Sequence, residues 1–200
     1  MFNNYTIGDM LLFSSETYVR LFELYNADVW PLHILALALT SGLLAAIWFR
    51  SRITDHLARL SYVVLALCWL WVAYAFHLER YASINWAAKG FAALFAAEGF
   101  LLLAVARFGQ PSSLFGSVKN SARVGHGLFL VGVIAVPIIS IFASDSWRSG
   151  QMFALTPDPT AIATLGILLF ASGRRKYALM AIPLVWCAVS VATHWAMVLQ

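Results

Sequence analysis

One carboxyl group lies in the middle of a long apolar stretch of this 200-residue chain. Glu98 follows Trp86 by 12 residues, which is about 18 Å along a helix axis. A carboxyl at that depth in a bilayer is costly, so Glu98 is a candidate for holding or relaying a proton or a cation. The alternative is a protonated Glu98 that hydrogen-bonds to a neighbouring helix, and the sequence leaves both interpretations open.

Three histidines, His33, His77 and His194, are predicted at one depth, close to the same face of the membrane. Met197 follows His194 by three residues and therefore lies on the same helix face. Histidine and methionine are ligands for copper(I), for other transition metals and for haem. His33, His77, His194 and Met197 are therefore candidate metal ligands, against the alternative that they serve packing and interfacial hydrogen bonding.

Two further polar residues are predicted near these histidines. Tyr74 precedes His77 by three residues, which places both on one face of an α-helix. Asp158 lies between Pro157 and Pro159, and these prolines are expected to prevent a helix from starting before residue 160. The span that follows is then too short for a bilayer, because about 14 residues cover roughly 21 Å. A short span after irregular backbone at 152–156 indicates an outward-facing vestibule near Asp158.

No motif in the chain names a catalytic reaction. A nucleophilic Gly-x-Ser-x-Gly elbow, a Gly-rich phosphate loop and the common metal-ligand pairings are all absent from the sequence. The two cysteines, Cys68 and Cys187, both fall inside predicted spans and are expected to be reduced. We therefore expect a protein that is not an enzyme, and no cofactor is identified.

The composition defines the elements that must position these residues. The chain is 62% hydrophobic and only 11% charged, with a mean hydropathy of +0.79, which excludes a water-soluble domain. An aromatic content of 14% excludes a disordered chain. Membrane β-strands would alternate polar and apolar residues, whereas the apolar runs here are continuous. The fold class is therefore all-α, a polytopic membrane helical bundle.

Six transmembrane helices are predicted from runs of about 20 apolar residues. They cover residues 29–49, 57–77, 86–106, 124–143, 159–172 and 177–198. Residues 1–28 form an N-terminal segment, and residues 29–200 form the transmembrane domain. Within the N-terminal segment, Ser14 or Ser15 is placed to cap a helix whose apolar positions share one face. We expect this helix to lie along the membrane surface.

Lysine and arginine residues predict the orientation, since the cytoplasmic side of a membrane protein carries their excess. Nine of the 13 lie on one side of the six spans: Arg50, Arg52, Arg59, Arg107, Lys119, Arg123, Arg174, Arg175 and Lys176. The other four are Arg20, Arg80, Lys89 and Arg148. We therefore expect both termini on the outer, periplasmic side of a bacterial inner membrane. The net charge of +4 is explained by these loops and needs no nucleic-acid partner.

Three segments carry a resemblance to a known family. They are Leu-Tyr-Asn-Ala-Asp-Val-Trp-Pro at 24–31, Trp-Leu-Trp at 69–71 with Phe-His at 76–77 and Ile-Asn-Trp-Ala-Ala at 84–88, and Pro-Asp-Pro-Thr at 157–160 with 165–169 and Ile-Pro-Leu-Val-Trp at 182–186. The chain resembles an uncharacterised bacterial family of small multi-span inner-membrane proteins, a domain of unknown function. The resemblance omits residues 108–123 and the last ten residues. It implies the fold and a bacterial origin, and it implies no activity.

Three functions remain open from the sequence. In the first, the protein binds or passes a small solute or ion through the vestibule, which is lined by candidate residues with Glu98 beneath. Those lining residues are His33, Tyr74, His77, Asp158 and His194. In the second, it is a structural or accessory subunit that contacts a membrane-protein partner or a second copy of itself. In the third, it is a redox protein that holds a metal or a haem.

Overall fold

The computed structural model describes residues 13–49, 54–110, 115 and 119–199. All regular structure in these ranges is helical. The helices are α1 (Ser15–Asp28), α2 (Leu32–Trp48), α3 (Asp55–Trp71), α4 (Ala88–Phe108), α5 (Lys119–Leu130), α6 (Val136–Ser144), α7 (Pro157–Leu168) and α8 (Arg175–Val198). Two π-helical stretches, Val72–Leu78 and Val131–Ala135, extend α3 and join α5 to α6.

Helix α1 has the cap and the buried face that the sequence predicts. The Ser14 hydroxyl accepts a hydrogen bond from the backbone N–H of Thr17 at 3.3 Å, which satisfies one of the free amides of the first turn. Its buried residues are Tyr18, Leu21, Phe22 and Tyr25. A bend of 92° separates α1 from α2. Whether α1 lies on a membrane surface stays a prediction.

Helices α3 and α4 pack closely against each other and form the centre of the core. Buried aromatic rings fill the contact, with the Trp69 and Phe95 ring centroids 4.3 Å apart. Gly99 permits this approach, since a Cβ at its position would lie 2.7 Å from the Cγ of Leu70. Such close approach through small residues is typical of helix pairs in membrane proteins.

The region from α5 to α6 packs against α7 through glycines on both sides. A Cβ added to Gly125 would lie 2.7 Å from the carbonyl oxygen of Gly166. A Cβ on Gly132 would lie 2.7 Å from the backbone nitrogen of Ala163. These positions bring the two backbones into contact, so no larger residue fits there without a shift of the helices.

Helix α7 is enclosed by the rest of the protein. All of its 12 residues except Ile162 are buried. The preceding residues 151–156 have irregular backbone and are also largely buried, with Ala154 in the left-handed region at a φ of 72°. The prediction that the prolines delay this helix to residue 160 is wrong, because α7 begins at Pro157 itself. Proline is tolerated in the first turn, where its missing N–H would have no helical partner.

Four helical stretches are long and apolar enough to cross a membrane: Asp55–Ser83, Ala88–Phe108, Asn120–Ser144 and Arg175–Val198. The bent pair of α1 and α2 raises the number to five if it counts as one span. The six predicted spans are therefore not all found as full-length helices. The first predicted span is reduced to the 17 residues of α2, and the fifth corresponds to the short, enclosed α7.

Arginine side chains form hydrogen bonds between elements at the two ends of this helical body. At one end, Arg59 donates hydrogen bonds to the carbonyl oxygens of Ala106 and of Arg107, the latter at 3.1 Å. These carbonyl groups lie at the C-terminal end of α4, where they have no partner within the helix. At the other end, Arg80 forms an ion pair with Asp28. The assignment of the Lys and Arg residues to two sides of a membrane stays a prediction.

Candidate functional site

His77 lies in the π-helical extension of α3, near the end of the protein that carries the Asp28–Arg80 ion pair. It has 0% of its surface exposed. Its ring lies 4.5 Å from the ring of Phe95 on α4 and 4.9 Å from the ring of Trp186 on α8, measured between centroids. Neither ring nitrogen has a hydrogen-bond partner within the described residues. A buried imidazole without partners is costly, so it requires an explanation beyond packing.

Asp158 is joined to His77 through the indole of Trp186. The indole Nε1 donates a hydrogen bond of 2.8 Å to Oδ1 of Asp158, and the same indole packs against the His77 ring. Asp158 lies in the first turn of α7, where the free amides and the helix dipole favour a carboxylate. The sequence predicts Asp158 and His77 near each other, and in the structure the same Trp186 indole contacts both.

Glu98 lies on α4, one helical turn beyond the Phe95 ring that covers His77. It has 0% exposure, and neither carboxyl oxygen has a hydrogen-bond partner in the part of the chain that the structure describes. The alternative interpretation from the sequence, a protonated Glu98 bonded to a neighbouring helix, therefore has no acceptor among those residues. Burying a carboxyl without a partner in an apolar interior costs free energy, and this cost alone makes Glu98 a functional candidate.

A ladder of threonines runs along α7, and the sequence interpretation missed it. Thr156, Thr160 and Thr164 are each 0% exposed. The hydroxyl of Thr160 donates to the carbonyl oxygen of Thr156 at 2.7 Å, and Thr164 donates to that of Thr160 at 2.7 Å. The Thr160 hydroxyl also accepts from the Ala154 amide at 3.0 Å, which fixes the irregular backbone before α7. The spacing of four residues after the Pro-Asp-Pro motif was the available signal.

Three aromatic rings connect these groups. Trp69 stacks near Phe95 and donates from Nε1 to the hydroxyl of Thr164 at 2.9 Å, while Phe95 and Trp186 lie 5.1 Å apart. Buried polar side chains lie on the helices that these rings join, and we call them the buried polar cluster: His77, Glu98, Asp158, Thr156, Thr160 and Thr164. Its members come from the extension of α3, from α4 and from α7 with its N-cap, while α8 supplies the Trp186 ring, so its geometry depends on the packing of all four helices.

His194 lies outside this cluster, beyond an aromatic layer. Its ring is 5.9 Å from that of Tyr18, which in turn lies 6.0 Å from Tyr81, and Tyr81 lies 6.1 Å from the His77 ring. His194 is exposed, and its Nδ1 hydrogen-bonds with the carbonyl oxygen of Ser190 at 2.8 Å. The structure thus separates His194 from His77 by two tyrosine rings.

The remaining candidates lie apart from the cluster. His33 is half-buried against the ring of Trp30, 5.9 Å away, and Met197 is half-buried at the edge of the core. The structure does not bring the three histidines together as ligands. Among the described residues, no group of three His, Cys, Asp or Glu side chains is placed to hold a metal ion.

Tyr74 does not share a face with His77, contrary to the prediction from their spacing. Tyr74 is 58% exposed, whereas His77 is fully buried. The reason is the π-helical stretch Val72–Leu78, in which each turn contains more residues than an α-helical turn. Residues three apart then point in different directions, so Tyr74 faces outward.

Fold and site together define a class: an all-helical protein, with helices long and apolar enough to cross a membrane, closed around a buried polar cluster. The chain belongs to DUF6064, a family of unknown function, whose model matches residues 15–199. This confirms the expectation of an uncharacterised family and extends it over residues 108–123. Searches of curated proteins and of solved structures found no match.

Proposed function

We propose that this chain is an integral membrane protein that binds and passes a proton or a small cation through the buried polar cluster. The single observation that carries the proposal is Glu98, a carboxyl with no exposure and no hydrogen-bond partner in the described residues. His77, likewise buried and unpartnered, lies in the extension of α3 and packs against Phe95, which precedes Glu98 by one helical turn of α4. Two groups that both bind protons and both lack partners suit a relay better than a structural contact.

The proposal of a membrane location is supported by the outer surface. Large apolar side chains are exposed around the helical body, including Trp86 and Phe108 at 78% each and Phe142 at 77%. Such a surface is stable in lipid and prone to aggregate in water. With nine of 13 Lys and Arg residues on one side, we place that side in the cytoplasm and both termini outside a bacterial inner membrane.

Helix α7 and its approach supply the pathway in this proposal. Residues 151–156 carry buried irregular backbone, and α7 is shorter than a full span. In membrane proteins such backbone is tolerated where protein surrounds it or where it lines a cavity, and short broken helices commonly form ion and substrate sites. Asp158 and the threonine hydroxyls lie along this helix and offer oxygen ligands to a cation.

The test is ion flux into liposomes that contain the purified full chain. A pH-sensitive dye inside the vesicles reports protons, and Na⁺ or K⁺ gradients report small cations. We expect Glu98→Gln to lower the flux at least about tenfold, because it removes the titratable group and preserves shape. Glu79→Gln is the matched control, since Glu79 is exposed outside the cluster.

Two results would overturn the proposal. In the first, wild-type vesicles conduct protons, Na⁺ and K⁺ no faster than empty vesicles. In the second, Glu98→Gln and wild type conduct equally. Thermal unfolding of each variant shows whether a lost flux reflects a lost fold. If Glu98→Gln unfolds at the wild-type temperature and loses flux, the carboxyl itself is required.

A second function, an accessory subunit in a membrane complex, is favoured by a groove between α2 and α3. Helix α2 buries only Ala36, Leu43 and Ile47 of its 17 residues. The groove has a volume of about 460 Å³, and small residues of α2, among them Gly42, line it. Small residues let a helix of another subunit approach closely. Cross-linking in native membranes through a cysteine at Gly42 tests this function, and the absence of any cross-linked chain would count against it.

A further inference from the structure

A second pocket lies at the end of the protein opposite the Asp28–Arg80 ion pair. It has a volume of about 450 Å³ and lies between the C-terminal end of α4 and the N-terminal end of α8. Arg174, Arg175 and Lys176 line one side of it. This pocket shares no lining residue with the buried polar cluster.

The basic side is built around a helix N-terminus. Arg174 occupies the N-cap position of the 24-residue helix α8, and no side chain of the described residues caps it. Gly173 before it has a φ of 82°, a left-handed conformation that turns the chain into the helix. Free amides at a helix N-terminus bind anions. Neither Arg174 nor Arg175 forms an ion pair with an acidic side chain in the described ranges.

A buried hydroxyl without a partner lines the same pocket. Tyr62 of α3 has 0% of its surface exposed, and its OH group has no hydrogen-bond partner among the described residues. Buried hydroxyls normally have a hydrogen-bond partner, because a buried hydroxyl that makes no hydrogen bond costs free energy. This second observation is independent of the helix N-terminus, and it supplies a hydrogen-bond donor for an acceptor group within the pocket.

The rest of the lining is apolar. Ala104, Val105 and Phe108 of α4 and Leu179 of α8 face the same space. Phe108 is 78% exposed, so the apolar side continues to the outer surface of the helical body. A ligand that fits both sides carries a negative charge at one end and a hydrocarbon chain at the other.

We propose that this pocket binds a phosphate group, supplied by the headgroup of an anionic phospholipid. Arg174, Arg175 and the α8 amides receive the phosphate, and the Tyr62 hydroxyl donates to one of its oxygens. The first part of an acyl chain lies along Phe108 and Leu179. Arginine is well suited to phosphate because its planar guanidinium donates two parallel hydrogen bonds.

The test measures lipid binding to the purified full chain in a neutral detergent. Phosphatidylglycerol and phosphatidylcholine with identical acyl chains are compared by native mass spectrometry and by the rise in unfolding temperature. We expect phosphatidylglycerol to bind and to stabilise, and phosphatidylcholine to do neither at the same concentration. Equal effects of the two lipids would overturn the proposal.

Two variants distinguish binding at this pocket from attraction of the lipid by the protein's overall positive charge. Tyr62→Phe removes only the unpartnered hydroxyl, so we expect an unchanged unfolding temperature without lipid and about fivefold weaker binding of phosphatidylglycerol. Arg175→Ala is expected to weaken binding by about fivefold as well. Arg123→Ala is the matched control, an exposed arginine on α5 outside the pocket lining, and is expected to bind like wild type.

Three outcomes would contradict these expectations. Equal losses in Arg175→Ala and Arg123→Ala would show that net charge alone attracts the lipid and would overturn the site. If Tyr62→Phe bound phosphatidylglycerol as tightly as wild type, the Tyr62 hydroxyl would not be part of the site. Glycerol 3-phosphate binding as tightly as phosphatidylglycerol would overturn the lipid as the source of the phosphate.

Discussion

Substitution of Gly166 by alanine tests how tightly α7 is held. A Cβ at Gly166 would lie 2.5 Å from the backbone nitrogen of Phe129 and 2.8 Å from the carbonyl oxygen of Gly125. Both contacts are with backbone, so no side-chain rotation relieves them, and one helix must move by about 1 Å to restore van der Waals distance. Overpacking of this kind costs up to about 3 kcal/mol.

The alanine also stabilises the helix itself, and this gain must be subtracted from the cost of overpacking. Glycine to alanine in a helix interior stabilises by about 1 kcal/mol, which leaves a net loss of about 2 kcal/mol for Gly166→Ala. For a chain of this size, that loss lowers the unfolding temperature by about 4–8 °C. The assay is thermal unfolding in detergent, followed by circular dichroism.

The matched control is Gly127→Ala on the neighbouring helix α5. A Cβ at Gly127 has nothing within 4 Å, so only the helical gain remains, and we expect an unfolding temperature equal to wild type or slightly higher. An unfolding temperature for Gly166→Ala at or above that of Gly127→Ala would refute the argument that backbone contact holds α7 in place.

Two further predictions concern single hydrogen bonds. Trp186→Phe removes the donor to Asp158, and we expect a loss of about 2 kcal/mol in unfolding free energy because a buried carboxyl loses its partner. Trp147→Phe, at a side chain that is 75% exposed, should unfold like wild type in the same thermal assay. Glu23 of α1 accepts a hydrogen bond of 2.6 Å from the Ser146 hydroxyl, which lowers the pKa of its carboxyl. The stability that this bond contributes is present at neutral pH and is lost as the pH falls through the lowered pKa. Between pH 7 and pH 3, the unfolding temperature of Ser146→Ala should therefore fall less than that of wild type.

Helix α1 shows what the sequence could predict well. Its cap and its buried face follow from spacing within 12 residues, and the structure confirms both. The interruption of the chain before α7 was also visible, because Pro157 and Pro159 prevent a longer helix from running through them, although the helix begins at Pro157 and not at residue 160. Local signals of this kind need no knowledge of the neighbouring helices.

The candidate site was harder to predict, because depth in a membrane does not show which helices are neighbours. His33 and His194 were expected beside His77 on the basis of depth alone. In the structure His33 packs on Trp30 of the α1–α2 connection, and His194 lies beyond two tyrosines. Spacing along a sequence gives a position on one helix, whereas a shared site depends on tertiary packing.

A change of helix type explains the error at Tyr74. The face assignment assumed an α-helix, and the widened turns of Val72–Leu78 turn Tyr74 outward. No simple sequence signal marks a π-helical stretch, although such stretches are frequent at functional sites. Here one of them places His77 in the core.

The enclosure of α7 has a consequence for how the chain is made. Its Asp158 bonds with Trp186, which lies 28 residues further along the chain. During synthesis from the N-terminus, α7 therefore leaves the ribosome before the helix that covers it and satisfies its carboxyl. Twelve residues are too few to insert into a bilayer alone. Final assembly must wait for α8, and until then the Asp158 carboxyl lacks the indole donor that it has in the folded protein.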